Sequence, residues 1–177
     1  MKETGMVRRI DELGRVVIPK EIRKTLRLKE SDPIEIFTDR DMLCFKKYSP
    51  INALNEFGDG LCSALSDAIG CMVAIVDGDK VIYAHGSGSN KIVGLSLNEN
   101  VVNVLKERQA VLFDRETYGE VKKVVADGEY AYPIVYIAPC VAGGDIVGGV
   151  VVCSDNDLTS EKTALIDLSA DILARQF

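Results

Sequence analysis

The chain has 177 residues, of which 47% are hydrophobic and 27% charged, with a formal net charge of −6. That balance excludes a disordered or collagen-like chain, leaves room for one large or two small cores, and offers no apolar run near the ~20 residues that span a bilayer. The net charge averages two unlike halves: residues 1–50 carry 12 Lys/Arg against 9 Asp/Glu, and residues 51–177 carry 9 against 18. One end should attract polyanions and the remainder should repel them.

In chain order, Met6–Ile10 and Arg15–Ile18 read as short strands joined by the turn Asp11-Glu12-Leu13-Gly14, and a short helix opens at Pro19. Gly14 is free to take a positive φ, and Pro19 fits a first helical turn, where its missing N–H breaks no bond. Lys20, Arg23, Lys24 and Arg27 follow the spacing i, i+3, i+4, i+7 and share a helical face. Ile22 and Leu26 point the other way and can be buried. Arg8, Arg9 and Arg15 add positive charge from the strands, giving a surface that nucleic acid would neutralise; a solvated basic face is the alternative that pattern alone leaves open.

Residues 33–38 and 42–46 read as a second hairpin turning at Asp39-Arg40-Asp41, with Ile34 and Ile36 alternating with Glu35. Four short strands and a turn or two of helix are too little to fold securely alone, and neither disulfide nor metal is at hand, so this end is expected to oligomerise.

After Tyr48-Ser49-Pro50 the pattern changes. Ile51, Leu54, Gly58, Leu61, Leu65 and Ala68 form a helical seam, with a bend or close helix approach expected near Asp59 between two glycines. Strands follow at Cys71–Val76 and Lys80–Ala84 around Asp77-Gly78-Asp79, then a helix around Glu99–Lys106 and a short strand at Ala110–Phe113. Two longer strands, Tyr132–Val141 and Ile146–Ser154, flank Ala142-Gly143-Gly144-Asp145. A last helix starts near Thr159, a good N-cap, with a stripe of Leu165, Leu168 and Ile172 widened by Ile166 and Leu173. Helices alternating with antiparallel strands describe an α+β sandwich.

Gly86-Ser87-Gly88-Ser89-Asn90-Lys91 lacks the G-K-[ST] ending of a phosphate loop and reads instead as a loop that could cover a ligand pocket, with His85 and Ser87 beside it. Tyr132 and Tyr136 share strand parity, and Tyr130 joins them if the strand begins early, so they either line a cavity or pack on a half-exposed sheet. Cys44, Cys62, Cys71, Cys140 and Cys153 are widely spaced and mostly set in apolar runs, as buried, reduced thiols would be. A single histidine without a ligand cluster argues against zinc, and no cofactor or catalytic residue is expected. The opening Met1-Lys2-Glu3-Thr4 lacks a signal-peptide core, so the expected location is cytoplasmic.

The run Thr4–Pro19, continued through Lys20–Leu26 and ending at Lys46-Lys47-Tyr48, resembles the DNA-binding half of the AbrB-like transition-state regulators. The resemblance implies a dimeric barrel in which two chains exchange hairpins and arginines grip double-stranded DNA. Arg8, Arg15, Arg23 and Lys24 fall at its DNA-contacting positions. Lys24 stands where a relative has arginine, which favours a simple phosphate contact over a bidentate one. Arg9 replaces a lysine and keeps the charge, and Lys20 completes the set. Residues 1–50 contain no Asn or Gln, so direct readout would rest on Arg and Lys, with the shape of A·T-rich DNA contributing.

Residues 138–152 resemble the closing strand pair of a GAF domain, a fold that often binds small molecules. The fold expected is therefore α+β: an N-terminal swapped-hairpin β-barrel over 1–50, then a GAF-like antiparallel sheet sandwiched by helices over 51–177, including a linker helix at 51–69. The two resemblances together imply a regulator of developmental, sporulation-type genes, associated with the nucleoid. They also imply a homodimer through the N-terminal end and a homotetramer through the GAF-like helices, with an unidentified small-molecule ligand and no membrane. Two other readings compete. AbrB-like barrels also serve as antitoxins, and some GAF-fold proteins reduce methionine sulfoxide with cysteines; Cys71 and Cys153, set among valines, are poor nucleophiles for the latter.

Overall fold

The computed structural model describes residues 4–30, 32–114, 123–128 and 131–177. The chain divides into two compact units, Met1–Tyr48 and Ser49–Phe177.

In the first unit, helix α1 (Lys20–Thr25) follows Pro19, and strands β1 (Ile34–Asp39) and β2 (Met42–Lys47) pair antiparallel with Ile34 opposite Lys47 and Asp39 opposite Met42. Arg40, at φ 55°, makes the tight turn. The expected strands Met6–Ile10 and Arg15–Ile18 do not form within one chain, where only the turn between them closes. Strands need ladder partners, and here Val7, Ile10, Leu13 and Val17 remain exposed. The hairpin exchange implied by the resemblance would bring those partners from a second chain. For the same reason Ile22 is only half-buried and Leu26 is exposed.

The second unit is a five-stranded antiparallel sheet in the order β4-β3-β7-β6-β5, built from β3 (Met72–Val76), β4 (Val81–His85), β5 (Val111–Phe113), β6 (Ile134–Ala142) and β7 (Asp145–Ser154). Helices α2 (Pro50–Ala53), α3 (Asn55–Ile69) and α5 (Ser160–Ala174) pack on one face and α4 (Glu99–Glu107) on the other. Because the central strands are covered on both sides, β3 is buried at every residue and reads as an unbroken apolar run. Side chains still alternate. Val73, Ile75, Val150 and Val152 join the α3/α5 core, while Met72, Ala74, Val151 and Cys153 join the α4 core.

Beside β4, Val81 N–H donates to Leu95 O (3.0 Å) and Gly94 N–H donates to Val81 O (2.8 Å), so the 92–96 segment occupies its outer side. Asp77 shapes the β3–β4 turn by accepting from the N–H groups of Asp79 and Lys80 (2.8 and 2.7 Å). Asn98 caps α4 by accepting from Asn100 N–H, and Gly70 ends α3 in the left-handed conformation.

Three expectations shift in register. The 51–68 seam is not one helix bent at Asp59: it breaks at Asn55 (φ 43°), between α2 and α3. Gly58 does serve close approach, since a Cβ there would meet the ring of Tyr83 on β4 at 2.5 Å. The buried face of α3 is Gly58, Cys62, Leu65, Ser66 and Ile69, which leaves Ala68 outside. In α5 the buried face is Ile166, Ser169, Ala170, Leu173 and Ala174, while Leu165 and Leu168 are exposed. Small residues set that rotation, because Ser169 and Ala170 let the helix lie close to the sheet, and Ser169 returns its hydroxyl to Leu165 O (2.8 Å).

Candidate functional site

The basic segment takes its local shape from Asp11. One carboxylate oxygen accepts from Leu13 N–H (3.0 Å) and Arg15 N–H (2.8 Å), and the other accepts from Arg15 Nε (2.7 Å). Two backbone bonds, Asp11 N–H to Arg15 O and Gly14 N–H to Asp11 O (both 3.0 Å), close the turn, and Gly14 takes φ 75°. These donors, the Arg15 backbone N–H first and its side chain second, hold the Asp11 carboxyl below the usual carboxylate range. Arg15 is thereby fixed at its Nε while its side chain stays 71% exposed, leaving its terminal nitrogens free to turn outward.

Beyond the turn, Pro19 occupies the N-cap of α1. Lys20 opens the helix, and Arg23 and Lys24 fall in its last turn, so these three share a face. Arg8 and Arg9 lie in the extended segment before the turn, and all six cations are exposed. The structure thus orders Arg15 through Asp11 and Lys20, Arg23 and Lys24 through α1. Asp11 is the group the sequence reading passed over; its signal is an aspartate opening a four-residue turn that ends in glycine, the pattern of an Asx turn.

The second unit contains a cavity of about 610 Å³ at one end of the sheet, lined by the C-terminal end of α3, the Gly86-Ser87-Gly88 loop, Tyr132 and residues 153–156. Gly86 (φ 97°) passes so close to β3 that a Cβ would lie 2.9 Å from Cys71 O, Met72 Cα and Ser66 Oγ. Ser66 Oγ donates to Cys71 O (2.8 Å) and ties α3 to the start of β3.

Of the candidate ligand residues, Ser87 and Tyr132 line this cavity. His85 does not, because its Nε2 pairs with Asp59 Oδ1 on α3 at 2.9 Å. Tyr136 does not share a face with Tyr132. It lies in the α3/α5 core and donates to the Asp167 carboxylate (2.9 Å), whereas Tyr132 packs against the α4 core. The cause is Pro133, which bends the chain before β6 begins at Ile134 and breaks the expected parity. Tyr130 lies outside the described residues.

All five cysteines are free, with Cys62, Cys140 and Cys153 buried and Cys44 and Cys71 half-buried. Burial pushes the thiols of Cys62 and Cys140 up to about 12 and that of Cys153 higher still. Cys71 and Cys153 both border the cavity, yet they come from opposite faces of the sheet, Cys71 with the α3/α5 core and Cys153 with the α4 core. Among the described residues no cluster of three or more His, Cys, Asp or Glu could hold a metal ion, and no helix is long and apolar enough to cross a membrane.

A family profile for the stage V sporulation protein T C-terminal domain, a transcription factor, matches residues 53–177, and one for the antidote–toxin recognition protein MazE, a bacterial antitoxin, matches residues 7–51. Stage V sporulation protein T of Bacillus subtilis (strain 168) is 40% identical over 178 residues, covering 99% of this chain and 98% of that protein. Transition state regulatory protein AbrB of the same organism is 43% identical over 84 residues, 48% of this chain and 88% of that protein. Among solved structures, the GAF domain of an Acinetobacter phosphoenolpyruvate-protein phosphotransferase aligns over 72% of this chain and 81% of its own length, with 14% identity and a TM-score of 0.55. That last likeness speaks to the fold alone: the second unit is GAF-like.

Proposed function

The chain belongs to the stage V sporulation protein T family of transcription factors, and we propose on that footing that it regulates sporulation genes by binding double-stranded DNA through its N-terminal end. The observation that carries the reading is the ordered basic segment within residues 7–51, the part matched by the MazE-type profile, with Arg15 fixed by the Asp11 turn and Lys20, Arg23 and Lys24 on one face of α1. Two chains exchanging hairpins would present Arg8, Arg9, Arg15, Lys20, Arg23 and Lys24 twice over. Such contacts position the protein on phosphates and read A·T-rich DNA mainly by groove shape. The regulator acts in the cytoplasm, on the nucleoid.

The second unit joins two such dimers into a tetramer, in this reading, through the helix layer of α3 and α5, whose outer side keeps Phe57, Leu165 and Leu168 exposed. The cavity beside Ser87 and Tyr132 takes a small molecule. No catalysis is assigned to it. The thiols of Cys62 and Cys140, raised to about 12, are protonated at neutral pH, and burial raises that of Cys153 as well, so none of these three is poised as a nucleophile. The antitoxin reading has the MazE-type match in its favour, but likeness along the whole chain, C-terminal unit included, favours the regulator.

Fluorescence anisotropy with a promoter-length duplex across a salt series tests this. If 6 to 12 phosphates are neutralised, log affinity should fall with log salt at a slope of about −5 to −11, and Arg15→Ala, which removes two cations per dimer, should flatten it by about 2. Absence of binding at low salt would overturn the reading.

A further inference from the structure

We propose that the Gly148-Gly149 pair of β7 is a coupling point between the α4 layer and the linker helix α2, which directly follows the DNA-binding unit in sequence. The two glycines face opposite sides of the central strand. At Gly148 a Cβ would lie 2.7 Å from Ile51 Cγ1 and 3.0 Å from Ile51 Cδ1, and would run into Val76 O. At Gly149 a Cβ would run into Leu105 Cδ2 of α4 and lie 3.2 Å from Ala138 O. Ile51 and Leu105 are both buried, one in each core.

Side chains elsewhere along the central strands keep the two helical layers apart. Here Ile51 and Leu105 each seat directly on backbone, one residue apart and from opposite sides. A close-packed interior passes a displacement to its neighbours rather than absorbing it. A shift of α4 therefore moves the strand segment on which Ile51 rests, and with it α2, held by Ser49 Oγ accepting from Asn52 N–H (3.3 Å) and by Leu54 N–H donating to Ile51 O (3.1 Å). Ile51 and Leu105 are positioning residues. The consequence for DNA binding rests on the regulator reading; the coupling itself does not.

Amide hydrogen exchange on the full chain, free of DNA, tests it. Leu105→Val withdraws the atom that fills the space at Gly149 and should speed exchange at Asn52 and Leu54 at least threefold beyond any change at Leu173 in α5. Val101→Ala, a larger deletion in the same helix away from the glycines nearest groups, should change α2 no more than it changes α5. Equal effects of the two variants on α2, or unchanged exchange there in Leu105→Val, would overturn the proposal. Because no DNA is present, either result leaves the anisotropy test of DNA binding independent.

Discussion

Asp11→Asn separates two roles that a carboxylate beside Arg15, proposed above to contact DNA, can play. Asn keeps an oxygen for the N–H groups of Leu13 and Arg15 and so keeps the turn, but removes a negative charge from the side chain bonded to Arg15 Nε at 2.7 Å. With a phosphate on the outer nitrogens of Arg15, the Asp11 carboxylate would sit about 7 Å from it. Screened repulsion across that gap, in solvent, weakens binding by a factor of about 1.5 per chain at 150 mM salt and about 2.2 at 10 mM. Two chains per site give an expected gain for Asp11→Asn of about twofold and about fivefold respectively. Anisotropy titrations of both proteins at the two salts read this directly. Since Arg15 holds the Asp11 carboxyl below its ordinary range, wild type stays charged at pH 5, and the ratio between the proteins should be the same at pH 5 and pH 7. Weaker binding by Asp11→Asn at every salt would refute the reasoning and make orientation of Arg15 the dominant role.

Alkylation at pH 8 should modify Cys44 and Cys71 in the folded protein and spare Cys62, Cys140 and Cys153, which mass mapping of the labelled peptides would check. The Tyr136 phenol is pushed up to about 12, by burial first and then by its hydrogen bond to Asp167 and the charge there. A raised folded-state value favours the protonated form, so its contribution is whole below pH 10 and is lost as pH climbs towards 12; Tyr136→Phe should lower stability by about 1 kcal/mol in urea at pH 7 and remove one phenol from the late part of an ultraviolet titration, where Tyr83 is also raised. Residues 49–177 expressed alone should unfold in one cooperative transition; a gradual or split melt would show that this unit depends on the rest of the chain.

Much of the second unit was legible because its signals are local. Val81–His85, Glu99–Glu107 and the β6–β7 hairpin fall within a residue or two of where apolar runs, caps and glycine turns place them. Faces were harder to read than spans. Pro133 sits one residue before β6 and cancels a parity argument that spanned it, and the small residues Ser169 and Ala170 draw α5 to the sheet on a different side from its leucines. The break at Asn55 carries no proline and required a positive φ that asparagine tolerates. In the first unit the basic residues are plain in the sequence, but the strands around them do not form within one chain, and Asp11 reads as an ordinary turn residue rather than as the anchor of Arg15.

The borders of the sheet bear on how copies of this protein meet. Exposed sheet edges invite strand-by-strand growth into aggregates. Here Gly94 and Leu95 already take up hydrogen bonds along the outer side of β4, and β5 at the far border has three residues. Open-ended polymerisation through backbone pairing is thereby discouraged at both borders. At these two borders, contact between copies is left to side chains rather than to backbone ladders.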